Sequence, residues 1–128
     1  LEALDQEKMN ILEHLGLKPV PYVEMCKYRN SLDDESDAKE VFFAYAAMPE
    51  RAKGPTSVNS RYITEDITQG LVLMESLGHV LDIPVPVCTS LIEIASAALG
   101  TDFRAGGRTL ERLGEENVQQ ILKERKGE

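Results

Sequence analysis

Apolar residues recur along this chain at steps of three and four, the period of a helix with one buried face. Leu4, Ile11, Leu12 and Leu15 set that pattern over residues 2–15. Glu2, Asp5, Glu7 and Glu13 fall mostly off the stripe, and Gly16 is placed to end the helix. Lys18-Pro19-Val20-Pro21 interrupts the period, and a short second helix is predicted over 22–29, turning Tyr22, Val23, Met25 and Cys26 inward. An acidic surface loop, Ser31-Leu32-Asp33-Asp34-Glu35-Ser36-Asp37, ends in cap candidates. A helix from Ala38 to Met48 follows, with Val41, Phe42, Tyr45 and Met48 on one side.

From Pro49 to Ser60 the period disappears around Gly54-Pro55, which predicts a long loop of the kind that is functional or disordered. The next helix is expected over 67–81, with Leu71, Met74, Leu77 or Gly78, and Leu81 buried. Ile83-Pro84-Val85-Pro86 reads as a stiff extended linker. Residues 87–99 are apolar on nearly two faces (Leu91, Ile94, Ala95 and Ala98; Cys88, Ile92 and Leu99), predicting a central helix stopped by Gly100. Thr101 to Gly114 is turn-rich, and a final amphipathic helix over 115–126 shows Val118, Ile121 and Leu122. Sustained alternation of period two is absent. The expected fold is all-α, a single bundle-like domain of about five to six helices.

Composition narrows the function classes. At 128 residues, with 42% hydrophobic and 28% charged positions, the chain can build a real core as one domain. A net charge of -8 argues against nucleic acid and anionic membranes as partners, since both need clustered cations. Cys26 and Cys88 form neither a CxxC pair nor a metal-ligand pattern, so reduced thiols in a cytoplasmic protein are expected. No apolar run approaches the ~18 residues of a membrane span. A start at Leu1, already helical in pattern, suggests an excised piece of a longer protein.

The candidate chemistry lies in Gly54-Pro55-Thr56-Ser57-Val58-Asn59-Ser60-Arg61-Tyr62-Ile63-Thr64-Glu65-Asp66-Ile67. Arg61 offers a rigid fork of donors suited to a substrate carboxylate. Asp66, five residues on, could orient and charge-stabilise an imidazole that moves protons. On local physics alone a bland reading of Asp66 is favoured: with Gln69 it makes a capping box at a helix start. Arg61 alone is more often a solvated or salt-bridged surface residue than a ligand clamp. Arg104, Arg108 and Arg112 recur at steps of four but read as a solvated or domain-docking surface. His14 and His79 read as surface residues, His79 four positions after Glu75.

Arg61-Tyr62 with Glu65-Asp66, then Gly70-Leu71, resembles the Arg-Tyr-x-x-Glu-Asp element of the octopine/nopaline (opine) dehydrogenases. Leu77-Gly78, Ile83-Pro84 with Pro86, and Gly107-Arg108-Thr109-Leu110 with Leu113-Gly114 resemble the elements after it, and Gly54-Pro55 matches upstream. Thr68-Gln69 and Val85 depart from the family's common Pro-Tyr and Thr at those places.

The resemblance implies the helical second domain of a two-domain oxidoreductase, similar to the 6-phosphogluconate dehydrogenase C-terminal domain. It implies reductive condensation of an amino acid with a 2-keto acid. NAD or NADP would be bound mainly by an N-terminal Rossmann domain absent from this chain. Arg61 would hold a substrate carboxylate, and Asp66 would pair with a catalytic histidine lying outside this chain. No metal is implied. A homodimer is, and the isolated chain is expected to be inactive. A non-enzymatic helical self-association module is the alternative. A 3-hydroxyacid or 6-phosphogluconate-type reaction would call for a reacting lysine, which nothing near Lys53 suggests.

Overall fold

Helices supply all the regular structure among the described residues of the computed structural model. These are 1–30, 35–51 and 53–126, with every side chain but those of 115, 121, 122 and 124–126. In chain order the elements are α1 (Glu2–His14), α2 (Tyr22–Asn30), α3 (Ala38–Ala46), α4 (Arg61–Glu65), a π-helical segment (Asp66–Leu71) and α5 (Val72–Leu81). They continue with α6 (Pro86–Leu99), α7 (Phe103–Gly106), α8 (Leu110–Leu113) and α9 (Glu115–Lys126). The all-α reading is correct, and each anticipated helix is present. Ser31-Leu32-Asp33-Asp34 and the side chains of Ile121 and Leu122 lie outside the described residues.

The chain packs as two compact units, one of Leu1–Lys18 with Pro55–Glu128, the other Pro19–Gly54. In the larger unit Ile11, Ile67, Val72, Val85, Cys88, Ile92 and Phe103 form the core. Leu4, Leu15, Leu71, Met74, Leu77 and Leu81 pack around them, as the helical period requires. Ile92 is 0% exposed, a burial that contributes about 2 kcal/mol. Gly16 and Gly100, with φ of 71° and 59°, take the left-handed conformation that stops α1 and α6.

In α6 two inward assignments are overturned. Ile94 is 67% exposed and Leu91 also lies open, so α6 turns Cys88, Ile92, Leu99 and also Ala95 to the core but leaves Leu91 and Ile94 in solvent. Period shows which residues share a face, and covering that face needs a second element. Glu7, expected off the stripe, is buried in α1. Its carboxylate accepts from the backbone N–H of Val87 at 2.7 Å and of Cys88 at 2.9 Å. Helix α6 begins with Pro86 and has no side-chain cap from Val85, so Glu7 satisfies its orphan donors from another helix.

The smaller unit is the α2–α3 pair. Asp37 caps α3 by accepting from Lys39 and Glu40 N–H, both at 3.0 Å, as its place at the end of the acidic loop suggests. Cys26 is buried, whereas Tyr22 and Met25 are exposed, contrary to their inward assignment, and Met48 is exposed as well. Two short helices cannot cover all their apolar residues with each other. The rings of Tyr22 and Phe42 meet edge to face at 6.1 Å, and the Arg51 guanidinium lies 4.3 Å over the Tyr45 ring.

Candidate active site

Helix α4 starts at Arg61, six residues before the predicted start at Ile67. Ser60 is extended (φ -122°, ψ 155°), and its carbonyl accepts from Ile63 and Thr64 N–H, both at 2.9 Å. Ile63 packs against the core one turn ahead of Ile67, which extends the buried stripe upstream. From Arg61 to Leu81 the elements run on without a break. Asp66 therefore lies inside a helix and has no orphan N–H groups to cap, so the capping-box reading is overturned.

Arg61 and Asp66 both stand on the outer surface of this helix. The Arg61 side chain is 77% exposed and meets the Glu65 carboxylate at 3.6 Å. An exposed pair of that length is worth a few tenths of a kcal/mol, about the level of thermal energy. Among the described residues the Asp66 carboxylate makes no hydrogen bond or ion pair with the chain. A five-residue step turns about 140° around an ideal α-helical axis, so the two groups stand on different faces of the helix surface. A depression of about 480 Å³, lined by Asn59, Thr64, Glu65, Thr68, Thr101 and Asp102 among others, lies beside this segment.

The helix widens from Asp66 onward. Val72 N–H bonds the carbonyl of Ile67, five residues back, so the Asp66–Leu71 segment holds one residue more than an α turn would. The carbonyl of Thr68, skipped by the widened ladder, accepts from Arg108 N–H at 2.8 Å. The Cys88 thiol donates to the Leu71 carbonyl at 3.2 Å.

A wider open groove of about 1260 Å³ is lined by Glu75, His79, Asp82, Arg104 and Glu111 with apolar neighbours. Arg104, read as part of a solvated or domain-docking surface, is only partly exposed and is spent on ion pairs within the chain. It forks onto Glu75 at 2.5 and 2.8 Å and reaches Glu93 at 2.6 Å. The Arg104 hydrogen bonds hold the Glu75 carboxyl below its ordinary value, against burial, which pushes it up. Arg112 donates to the carbonyls of Gly107 and Ala105, so it too is spent on structure. His79 and His14 are exposed.

Sequence reasoning placed Cys88 on a buried face but missed its hydrogen bond to Leu71, and it missed Glu7 and Arg104 as structural groups. Glu7 carried a signal, since it lies three residues after Leu4 and four before Ile11, on the buried stripe itself.

The all-helical architecture agrees with the comparisons to known proteins. The sequence pattern of the family described as NAD/NADP octopine/nopaline dehydrogenase, alpha-helical domain, matches residues 1–99, and the chain belongs to that family. The match reaches into the upstream helices, which carry no sharp motif of their own.

Among its relatives, an opine dehydrogenase of Arthrobacter sp. (strain 1C) is 34% identical over 115 residues, 88% of this chain and 31% of that protein. Protein ocs of Agrobacterium tumefaciens (strain Ach5) is 31% identical over 113 residues, 87% of this chain and 30% of that protein. Vitopine synthase of Allorhizobium ampelinum is 30% identical over 125 residues, 95% of this chain and 34% of that protein. The chain thus spans about a third of the length of these curated relatives. Among the described residues no helix is long and apolar enough to cross a membrane, and no cluster of His, Cys, Asp and Glu could hold a metal. Cys26 and Cys88 are both free and buried, with no bridge between them.

Proposed function

We propose that this chain is the C-terminal, substrate-side helical domain of an oxidoreductase that condenses an amino acid with a 2-keto acid reductively, using NADH or NADPH. The observation that carries the reading is Arg61 and Asp66 standing on solvent within the residues that match the family, neither absorbed by a structural role. Arg61 would exchange its weak contact with Glu65 for a bidentate grip on a substrate carboxylate. Asp66 would accept from a histidine supplied by the rest of the protein, raising its pKa and favouring the imidazolium. That imidazolium could then donate a proton to the oxygen leaving the keto acid.

The residues here do not fit the dinucleotide. The sequence has no Gly-x-Gly-x-x-Gly turn, and the described residues form no strand to precede one. The cofactor is therefore assigned to a Rossmann domain elsewhere in the protein, and this chain alone is expected to be inactive. The open α6 face around Leu91 and Ile94 favours burial against another surface, which fits the homodimer implied by the resemblance. The same face would serve the alternative, a self-association module without catalysis. A cytoplasmic location accompanies the proposal.

The test is steady-state kinetics on the whole protein, monitoring nicotinamide oxidation with amino acid and 2-keto acid pairs. Arg61→Ala should raise KM for the keto acid, and Asp66→Asn should lower kcat, each by about 100-fold. Both positions are exposed, so stability should change by no more than about 0.5 kcal/mol. Activity unchanged in both variants would overturn the assignment.

A further inference from the structure

We propose that the Cys88 thiol and the Gly107–Arg108 backbone are positioning elements for Arg61 and Asp66, holding the widened turn that sets how this helix end is presented. The inference rests on the functional reading of those two residues given above. A π turn is rare because it breaks the regular ladder and leaves a carbonyl without its helical partner, and it persists where something outside the helix supplies a donor. Here Arg108 supplies the donor for the skipped Thr68 carbonyl, and Cys88 adds a second contact where the turn passes into α5, at the Leu71 carbonyl. Arg108 N–H reaches the Thr68 carbonyl at 2.8 Å, and Cys88 Sγ reaches the Leu71 carbonyl at 3.2 Å.

Glycine at 107 makes the first contact possible. A Cβ there would lie 2.6 Å from Val72 Cγ1 and 2.7 Å from the Phe103 carbonyl, so no other residue lets the loop approach the turn this closely. Thr68 adds a local bond, its hydroxyl donating to the Thr64 carbonyl at 2.5 Å. The contacts converge on six residues, Asp66–Leu71.

The extra residue matters for orientation. Removing it would turn everything upstream by about 100° and draw it in by about 1.5 Å relative to α5. Arg61 lies upstream of the turn and Asp66 opens it, while Val72 and Leu77 anchor the downstream part to the core. The turn thus sets the angle at which the two site residues leave the packed body. Contacts far from the chemistry control it.

The test compares Cys88→Ala with Cys88→Ser in the whole protein, alongside amide exchange of Arg108 in the 128-residue chain. Cys88→Ala should speed Arg108 exchange and lower kcat/KM about tenfold or more, since a 1 Å misplacement can cost about 100-fold. Cys88→Ser, which keeps a donor for the Leu71 carbonyl, should recover kcat/KM to within about threefold.

Wild-type kcat/KM in Cys88→Ala, or equal loss in Ala and Ser, would reduce Cys88 to a space-filling residue and overturn the proposal. Deletion of Gly70 should abolish turnover in a chain that still melts cooperatively. Should that variant not fold, the Ala and Ser pair decides alone. A wild-type protein inactive on every amino acid and keto acid pair would instead sink the oxidoreductase reading, and the positioning role with it.

Discussion

Glu7 and Cys88, 81 residues apart, are joined by a 2.9 Å hydrogen bond from the Cys88 backbone N–H to Glu7 Oε2. With its partner bond from Val87, it ties the first helix to the start of α6 and substitutes for the missing cap. Glu7→Ala should therefore destabilise the chain by about 2–3 kcal/mol, the cost of leaving two donors unpaired at a buried helix start. Glu7→Gln keeps one acceptor oxygen and should lose about half as much. Urea denaturation measures both. Equal midpoints for wild type and Glu7→Ala would refute the capping role.

Stability should fall in acid in a way that depends on Glu75. Its carboxyl is held low chiefly by the Arg104 hydrogen bonds. A group lowered on folding stabilises fully above its unfolded value of about 4.3, and loses that contribution as pH drops through the folded value. Glu75→Gln should flatten the fall of the urea midpoint below about pH 4.3. Arg104→Ala should cost about 1–2 kcal/mol at neutral pH, kept small by partial exposure. Arg104→Lys should recover less than half, because an ammonium lacks the fork.

Alkali should act through Cys88. Burial first, then the charges of Glu75 and Glu7, push its thiol up to about 11. The folded chain prefers the protonated thiol, so this contribution is complete below the unfolded value of about 8.5 and disappears as pH rises through the folded one. Midpoints measured up to about pH 10.5 should decline in wild type more than in Cys88→Ala. Native Cys88, 0% exposed, should react with iodoacetamide only as fast as the chain opens. Rapid native alkylation at Cys88, located by peptide mass, would show the site to be accessible.

Two glycines of one continuous helical run should respond oppositely to alanine. Gly78 would place a Cβ 2.8 Å from the Ile83 carbonyl and 3.0 Å from Val85 Cγ2, whereas Gly70 has nothing within 4 Å. Gly78→Ala should lower stability by about 1–3 kcal/mol through overpacking. Gly70→Ala should raise it by about 0.5–1 kcal/mol through better helix propensity. Thermal melts distinguish them, and a shift of the same sign in both would contradict the packing described here.

The chain's own order of residues determined where helices lie, because period, glycine stops at Gly16 and Gly100, and the Asp37 cap act over a few neighbouring positions. It also carries, as local text, the motif from which Arg61 and Asp66 are proposed as site residues. Tertiary structure decided what that text could not carry. The helix begins at Arg61 because Ile63 finds the core, which frees Asp66 from a capping duty. The widened turn exists beside donors from Cys88 and Arg108, and α6 is capped by a carboxylate from α1. Arg104 became an ion-pair hub where its spacing suggested a solvated or domain-docking surface, and Ile94 stayed open where its period suggested a core. Each of these depends on which groups meet across long separations, and helical period reports only which residues share a face.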